Sequence, residues 1–171
     1  MAEEKKRLRL SLNLEDYRYE TRHCIGQNHC RHIDLNYVKG IDFQFRCPPW
    51  AKEIMHAYGA PGKLNFAYFL LTGKLDPSNP TLREVVFKDP MCGACDVACK
   101  RNLDHEIQLT LESLRARLVE LSGPMPQHVS VTDNIERAKN RYAISQTKRL
   151  DWMPKDVKPA EKADMLYFVG C

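Results

Sequence analysis

The chain has 171 residues, of which 43% are hydrophobic and 28% are charged, and its formal net charge at pH 7 is +4. Its basic residues are interleaved with acids, so the composition excludes a nucleic-acid binder with a strongly basic face. No run of about 18 apolar residues is present, and the N-terminal segment lacks the apolar core of a secretory signal. We therefore expect a cytoplasmic protein without a membrane span, for which peripheral association with a membrane stays open.

The N-terminal segment, residues 1–19, is predicted to be an arm. Four leucines alternate with polar residues, which is the period of a short extended segment with one buried face. These leucines are Leu8, Leu10, Leu12 and Leu14.

Short helices are predicted between residues 48 and 88. The stretch PPWAKEIMHAYGAPG begins with prolines and predicts a helix that ends at Gly59. The stretch KLNFAYFLLTG predicts a second helix that ends at Gly73. In NPTLREVVFK, Asn79 has the residue type of an N-cap and Pro80 that of a first helical position.

One longer amphipathic helix is predicted after residue 104 and is stopped by Gly123 and Pro124. Leucines and one isoleucine recur at spacings of four and three residues, which places them on one face of a helix. The stripe consists of Ile107, Leu111, Leu114, Leu118 and Leu121. We expect this face to pack on the cysteine-rich helices that precede it.

The C-terminal part is predicted to be a linker followed by a strand. Residues 126–162 are polar, in part helical, and end in a proline-rich charged stretch. The final MLYFVGC is an apolar run of strand-forming residues, which belongs in the interior of a fold. Residues 163–171 are therefore expected to begin a further domain, at which the chain is cut off.

Three cysteines lie within the stretch KDPMCGACDVACKRN. Cys92, Cys95 and Cys99 have the spacings of the second, third and fourth ligands in a ferredoxin half-motif. Asp89 stands where that half-motif has its first cysteine. Seven cysteines in a cytosolic chain indicate metal ligands or redox groups before they indicate disulfides.

A second, degenerate half-motif lies upstream. It contains Cys24, Cys30 and Cys47, and Pro48 follows Cys47 directly, as proline follows the last cysteine of a ferredoxin motif. In two-cluster ferredoxins this last cysteine binds the cluster of the other half-motif. The pattern therefore predicts two crossed groups of ligands.

We name these groups the Cys47 set and the Cys24 set. The Cys47 set consists of Cys47, Cys92 and Cys95, with Asp89 as a candidate fourth ligand. The Cys24 set consists of Cys24, Cys30 and Cys99, with His23, His29 and His32 as candidates for the fourth position. The pattern also allows four of the six cysteines to hold a single cluster.

Three other interpretations of the cysteines remain open. Zinc would use Cys92 with Cys95 as one short pair and Cys24 with Cys30 as a looser second pair. A redox-active pair at Cys92 and Cys95 would need a strand–helix setting that the surrounding sequence does not predict. The thiols could also be structural, although buried lone cysteines do not usually occur in such runs.

The stretches CGACDVACKRNLD, RLDWMP, PAEKADMLYFVGC and LEDYRYETRHC are similar to iron–sulfur subunits of the heterodisulfide reductase D type. The resemblance is closest to the subunit that accompanies class II benzoyl-coenzyme A reductase and electron-bifurcating systems. It implies an α-helical ferredoxin domain with cubane clusters, followed by a cysteine-rich CCG domain. It implies that the six cysteines of the two sets are cluster ligands and that Cys171 matches the first cysteine of the CCG domain. Asp89 departs from the family pattern, so that cluster is expected to be Asp-ligated or to take a three-iron form.

We therefore expect a mainly α protein with a ferredoxin-like domain over residues 20–125, a helical or linker segment over 126–162 and the first strand of a truncated CCG domain over 163–171. The expected function is electron transfer through one or two [4Fe-4S] clusters in a larger oxidoreductase complex of anaerobic metabolism. Flavin and iron–sulfur subunits are the expected partners, and the chain is not expected to be catalytic alone. The alternatives are a zinc-stapled interaction module and the N-terminal part of a thiol–disulfide reductase.

Overall fold

The structure is a computed structural model that describes residues 11–32, 44–100, 103–157 and 160–166. Its α-helices are α1 (Arg18–His23), α2 (Pro48–Glu53), α3 (Ala60–Leu71), α4 (Pro80–Phe87), α5 (Ala94–Lys100), α6 (Ile107–Ser122) and α7 (Pro126–Ala138). Short 3-10 helices lie at Leu14–Tyr17, His29–Arg31, His56–Tyr58 and Gln146–Lys148. Apart from an isolated antiparallel bridge between His32 and Phe45, the described residues form no strand. The mainly α class predicted from the sequence is confirmed.

The chain divides into two compact units, residues 1–123 and 124–171. In the first unit, α6 packs against α3, α4 and α5, and α1 packs against α3. Leu114 and Leu118 of α6 are fully buried against Leu64 and Ala67 of α3 in this core. The predicted packing of the long helix on the cysteine-bearing helix α5 is therefore confirmed, and Cys99 belongs to the same core.

Sequence signals placed several helix ends correctly. The Asn79 side chain accepts a hydrogen bond from the Thr81 N–H at 2.9 Å, which caps α4 as predicted. Gly123 ends α6 with a φ of 75°, a left-handed conformation that glycine adopts without steric cost.

Other boundaries differ from the predictions. The helix predicted to run to Gly59 ends at Ile54, which has a φ of 50°, and Gly59 instead precedes α3. Leu121, predicted in the buried stripe of α6, is 44% exposed, because the core contacts end at Leu118. Leu14 lies in a 3-10 helix and is buried, whereas Leu12 is exposed, so the two do not share the buried face of an extended segment.

The second unit contains α7 and the 3-10 helix Gln146–Lys148, as the prediction of a partly helical segment required. Its described apolar side chains, among them Ile135, Tyr142 and Trp152, are largely exposed. Met165 and Leu166 have no regular structure, and residues 167–171 of the predicted strand, with Cys171, lie outside the described residues. The strand stays a prediction.

Among the described helices, none combines the length and the apolar character that crossing a membrane requires.

Candidate iron–sulfur site

The cysteines of the site lie at helix ends and on one short helix. Cys24 directly follows the last residue of α1, Cys30 lies within the 3-10 helix His29–Arg31, and Cys47 precedes Pro48 at the start of α2. Proline at a first helical position fixes the start of α2, and therefore the place of Cys47. Cys24 and Cys47 therefore lie at the ends of α-helices, and Cys30 lies in a short 3-10 helix.

The remaining thiols lie on or beside α5. Cys92 is exposed in the loop before the helix, where Met91 and Gly93 have φ values of 56° and 72°. Cys95 and Cys99 are four residues apart in the helix, a spacing that places them on the same side of it. The 3-10 helix that carries Cys30 packs directly against α5.

The thiols act electrostatically on one another. Burial is the main cause that raises the pKa of Cys24, and the nearby Cys99 raises it further. Burial likewise raises the pKa of Cys47, with Asp89 and Cys92 as further causes. Cys30 has Cys24, Cys99 and Cys47 among its neighbours and is itself a neighbour of Cys95.

These interactions join thiols of the Cys24 set to thiols of the Cys47 set, and the assignment of each thiol to one set stays a prediction. Within the described part of the chain, however, no three histidine, cysteine, aspartate or glutamate side chains are already arranged to hold a metal ion. The thiols are thus neighbours and do not form a closed ligand cage.

Burial raises the pKa of the thiols of Cys24, Cys30, Cys47 and Cys95. The pKa rises to about 11 for Cys30 and to about 12 for Cys95, with the neighbouring acidic groups as further causes. A thiol with a raised pKa is a poor nucleophile, so Cys95 is not an activated thiol. Metal binding would release the protons, because the thiolate is the ligand.

The Cys47 set borders one pocket. Its lining includes Cys47, Cys92 and Cys95 together with Asp89, Arg46 and Gln108. The Nε atom of Arg46 is buried and has no hydrogen-bond partner among the residues that the structure describes. An N–H donor without a protein acceptor is suited to a sulfur-rich anionic group, whose sulfurs accept hydrogen bonds.

Two further buried donors lie in the same neighbourhood. Trp50 Nε1 and Arg31 Nη1 have no hydrogen-bond partner in the described part of the chain, and the Arg31 guanidinium lies 3.9 Å from the centroid of the Trp50 ring. The backbone of Arg46 joins them through a 2.8 Å hydrogen bond from its N–H to the Arg31 carbonyl. The residues that flank Cys30 and Cys47 therefore fit an iron–sulfur cluster better than they fit an apolar core.

Asp89 has partners of its own. The buried ammonium of Lys63 donates to Asp89 Oδ2, and the Met91 N–H donates to Asp89 Oδ1 at 2.8 Å. The Arg115 guanidinium donates to the Asp89 backbone carbonyl. The sequence indicated Asp89 only as a candidate ligand and did not single out Lys63, although a lysine that directly precedes the apolar stretch LNFAYFLL can indicate a buried ammonium.

Two of the candidate histidine ligands also have protein partners. His23 Nδ1 donates to the Tyr19 carbonyl at 2.9 Å, and His32 Nε2 accepts from Arg31 Nε at 2.8 Å. Burial and the adjacent Arg31 lower the pKa of His32. Histidine ligation stays a prediction.

The fold and site define a mainly helical, cysteine-rich protein whose thiols are gathered against one core. Over 128 residues it is 33%, 32% and 30% identical to the D subunits of the dihydromethanophenazine:CoB–CoM heterodisulfide reductases of Methanosarcina acetivorans, Methanosarcina mazei and Methanosarcina barkeri, respectively. Each alignment covers 71% of this chain and 29% of the relative. The chain belongs to the family of these heterodisulfide reductase D subunits, of which it matches an amino-terminal portion. No family model and no solved structure matches it.

Proposed function

We propose that this chain is an electron-transfer module in a reductase complex, and that its cysteines hold [4Fe-4S] clusters. The Cys47 set would hold one cluster and the Cys24 set a second, within an α-helical ferredoxin-like domain. When bound, such clusters accept and donate single electrons. The observation that carries the proposal is the mutual proximity of the thiols, beside buried N–H donors that lack acceptors among the described residues.

In this proposal the residues of the chain bind the clusters and adjust their reduction potentials. Thiolates of the two sets would fix the irons, and burial excludes water from Cys99. The guanidinium of Arg46 supplies positive charge and an N–H donor beside the Cys47 set. Both effects favour the more negatively charged, reduced state of a cluster.

The partners follow from the family. The relatives carry the name of a subunit of a heterodisulfide reductase, so we propose that this chain also works beside other redox subunits, with flavin and iron–sulfur proteins as the expected class. A cytoplasmic location, a role in anaerobic metabolism and the closeness to the benzoyl-coenzyme A reductase subunit stay predictions from the sequence.

Anaerobic reconstitution tests this function. The chain is incubated with iron and sulfide, and its iron, sulfide and zinc contents are measured together with EPR spectra of the reduced and oxidised protein. We expect iron and sulfide in equal amounts and EPR signals of reduced clusters. A colourless protein that binds zinc stoichiometrically and gives no EPR signal would contradict the proposal and support the zinc-stapled module.

The second alternative, a thiol–disulfide reductase, depends on the cysteines of a CCG domain, of which this sequence contains only Cys171, a residue outside the described ranges. The raised pKa values of Cys30 and Cys95 do not favour thiol chemistry at these two cysteines. Thiol–disulfide exchange by this chain alone, at a rate above that of free cysteine, would revive that alternative.

A further inference from the structure

The carboxylate of Asp89 is already engaged on both oxygens. Oδ2 accepts from the Lys63 ammonium, and Oδ1 accepts from the Met91 N–H at 2.8 Å. A carboxylate that ligated iron would have to give up at least part of this arrangement. The Asp89 carboxylate therefore cannot keep both of these hydrogen bonds unchanged and also ligate iron.

Lys63 makes that exchange costly. Its side chain is 0% exposed, and its ammonium also donates to the Tyr58 carbonyl at 2.7 Å. A buried ammonium that loses its anionic partner is strongly destabilising, because the charge cannot return to water. Lys63 is held near Tyr58 by the close approach of α3 to the preceding 3-10 helix, where a Cβ at Gly62 would lie 2.4 Å from the His56 carbonyl oxygen.

The backbone on either side of Asp89 is fixed as well. Arg115 of α6 donates to the Asp89 carbonyl and, at 3.1 Å, to the Val86 carbonyl at the end of α4. The hydrogen bond from Met91 to Asp89 Oδ1 holds Met91 at a φ of 56°, a conformation that costs a non-glycine residue energy. Asp89 therefore links α3, α4 and α6 to the loop from which Cys92 projects.

We propose that Asp89 is a positioning residue and not a cluster ligand: paired with buried Lys63, it fixes the loop that presents Cys92 and Cys95. This inference rests on the proposed function for the role of those cysteines. It implies that the Cys47 set receives no fourth ligand from Asp89, although Asp89 occupies the place of a ligand in the sequence pattern.

A double-mutant cycle tests the ion pair in the cluster-free chain. Lys63→Met, Asp89→Asn and the double variant are unfolded with urea in the presence of a chelator and a reductant. We expect each single variant to unfold at a lower urea concentration than the parent, and the double variant to unfold at a higher concentration than either single one. If a single variant fails to fold, folding of the double variant alone gives the same support. Simple addition of the two single effects would overturn the pairing.

A matched surface pair provides the control. Arg18 and Glu15 form an ion pair at 2.7 Å in which both side chains are about half exposed. Arg18→Met is expected to change the urea midpoint little, since exposed ion pairs contribute little to stability.

Spectroscopy separates positioning from ligation. The double variant Lys63→Met/Asp89→Asn lacks the carboxylate but carries no unpaired charge, and its asparagine can still accept from the Met91 N–H. After reconstitution we expect the same iron content and the same EPR spectrum as the parent. Loss of iron, or a three-iron signal that the parent lacks, would overturn the inference. If the parent itself takes up no iron, the proposed function is wrong, and the urea cycle still decides whether Lys63 and Asp89 act as a pair.

Discussion

Cys95 and Cys99 lie one turn apart on α5, yet their thiols have different neighbours. Cys99 acts on Cys24 and Cys30, whereas Cys95 has Asp89, Cys92 and Cys30 around it. Cys30 is a neighbour of both thiols. We propose that this short helix serves both the Cys24 set and the Cys47 set, as the crossed ligands of a two-cluster motif would require.

Replacing these two cysteines singly should remove different clusters. We expect Cys99→Ser and Cys95→Ser each to lower the iron bound after reconstitution by about four atoms per chain, while different EPR signals disappear. Val97→Ala, an exposed position on the same helix, is the control and should retain all iron. Loss of every signal in both variants would indicate one shared cluster in place of two.

Arg46 should tune the Cys47 set. Arg46→Met removes a positive charge and an N–H donor from the pocket lining. We therefore expect the reduction potential of the cluster at the Cys47 set to become more negative. Potentiometric titration followed by EPR measures this change. Arg117→Met, at an exposed position of α6 outside the pocket lining, serves as the control and should leave the potential where it is in the parent. An unchanged potential in Arg46→Met would show that the orphaned donor does not face the cluster.

The sequence predicted several helices because their ends depend on local signals. Asn79 before Pro80 marks a helix start. The grouping of the thiols rests on the spacing of the motif alone and stays a prediction. The end of α2 was mispredicted because Ile54, and not a glycine, takes the left-handed conformation there. An isoleucine, unlike a glycine, does not indicate the end of a helix in the sequence.

The role of Asp89 could not be predicted for a different reason. Its partner Lys63 lies 26 residues away, and nothing in the local sequence joins the two. The pair becomes visible only when α3 and the loop before Cys92 are brought together by packing. The exposure of Leu121 has the same origin, since amphipathic spacing continues past the point where the neighbouring helices end.

The stability of the cluster-free chain should fall at high pH. The folded state raises the pKa of Cys30 to about 11 and that of Cys95 to about 12 from the ordinary value of 9.0, so it retains protons that the unfolded chain has lost. This contribution is complete below pH 9.0, the ordinary thiol value, and is lost as the pH rises toward 11 and 12. Each pKa unit corresponds to about 1.4 kcal/mol.

Urea unfolding of the reduced, chelated chain between pH 7 and pH 10 measures the decline, within roughly the range where thiols titrate. Cys30→Ala and Cys95→Ala should each flatten the profile, because each removes one of the titrating groups. If both variants lose stability with pH as steeply as the parent does, residues other than Cys30 and Cys95 cause the loss.

The core beneath the site should be sensitive to small cavities. Leu114 on α6 is 0% exposed and belongs to the core that also contains Cys99, so Leu114→Ala should lower the free energy of unfolding by about 2–5 kcal/mol. Leu121→Ala on the same helix is the matched control, and its exposed side chain should cost only about 0.5 kcal/mol. Urea unfolding of the two variants beside the parent measures both changes. Equal losses at the two positions would mean that the buried stripe of α6 extends to Leu121, against the observed exposure of that side chain.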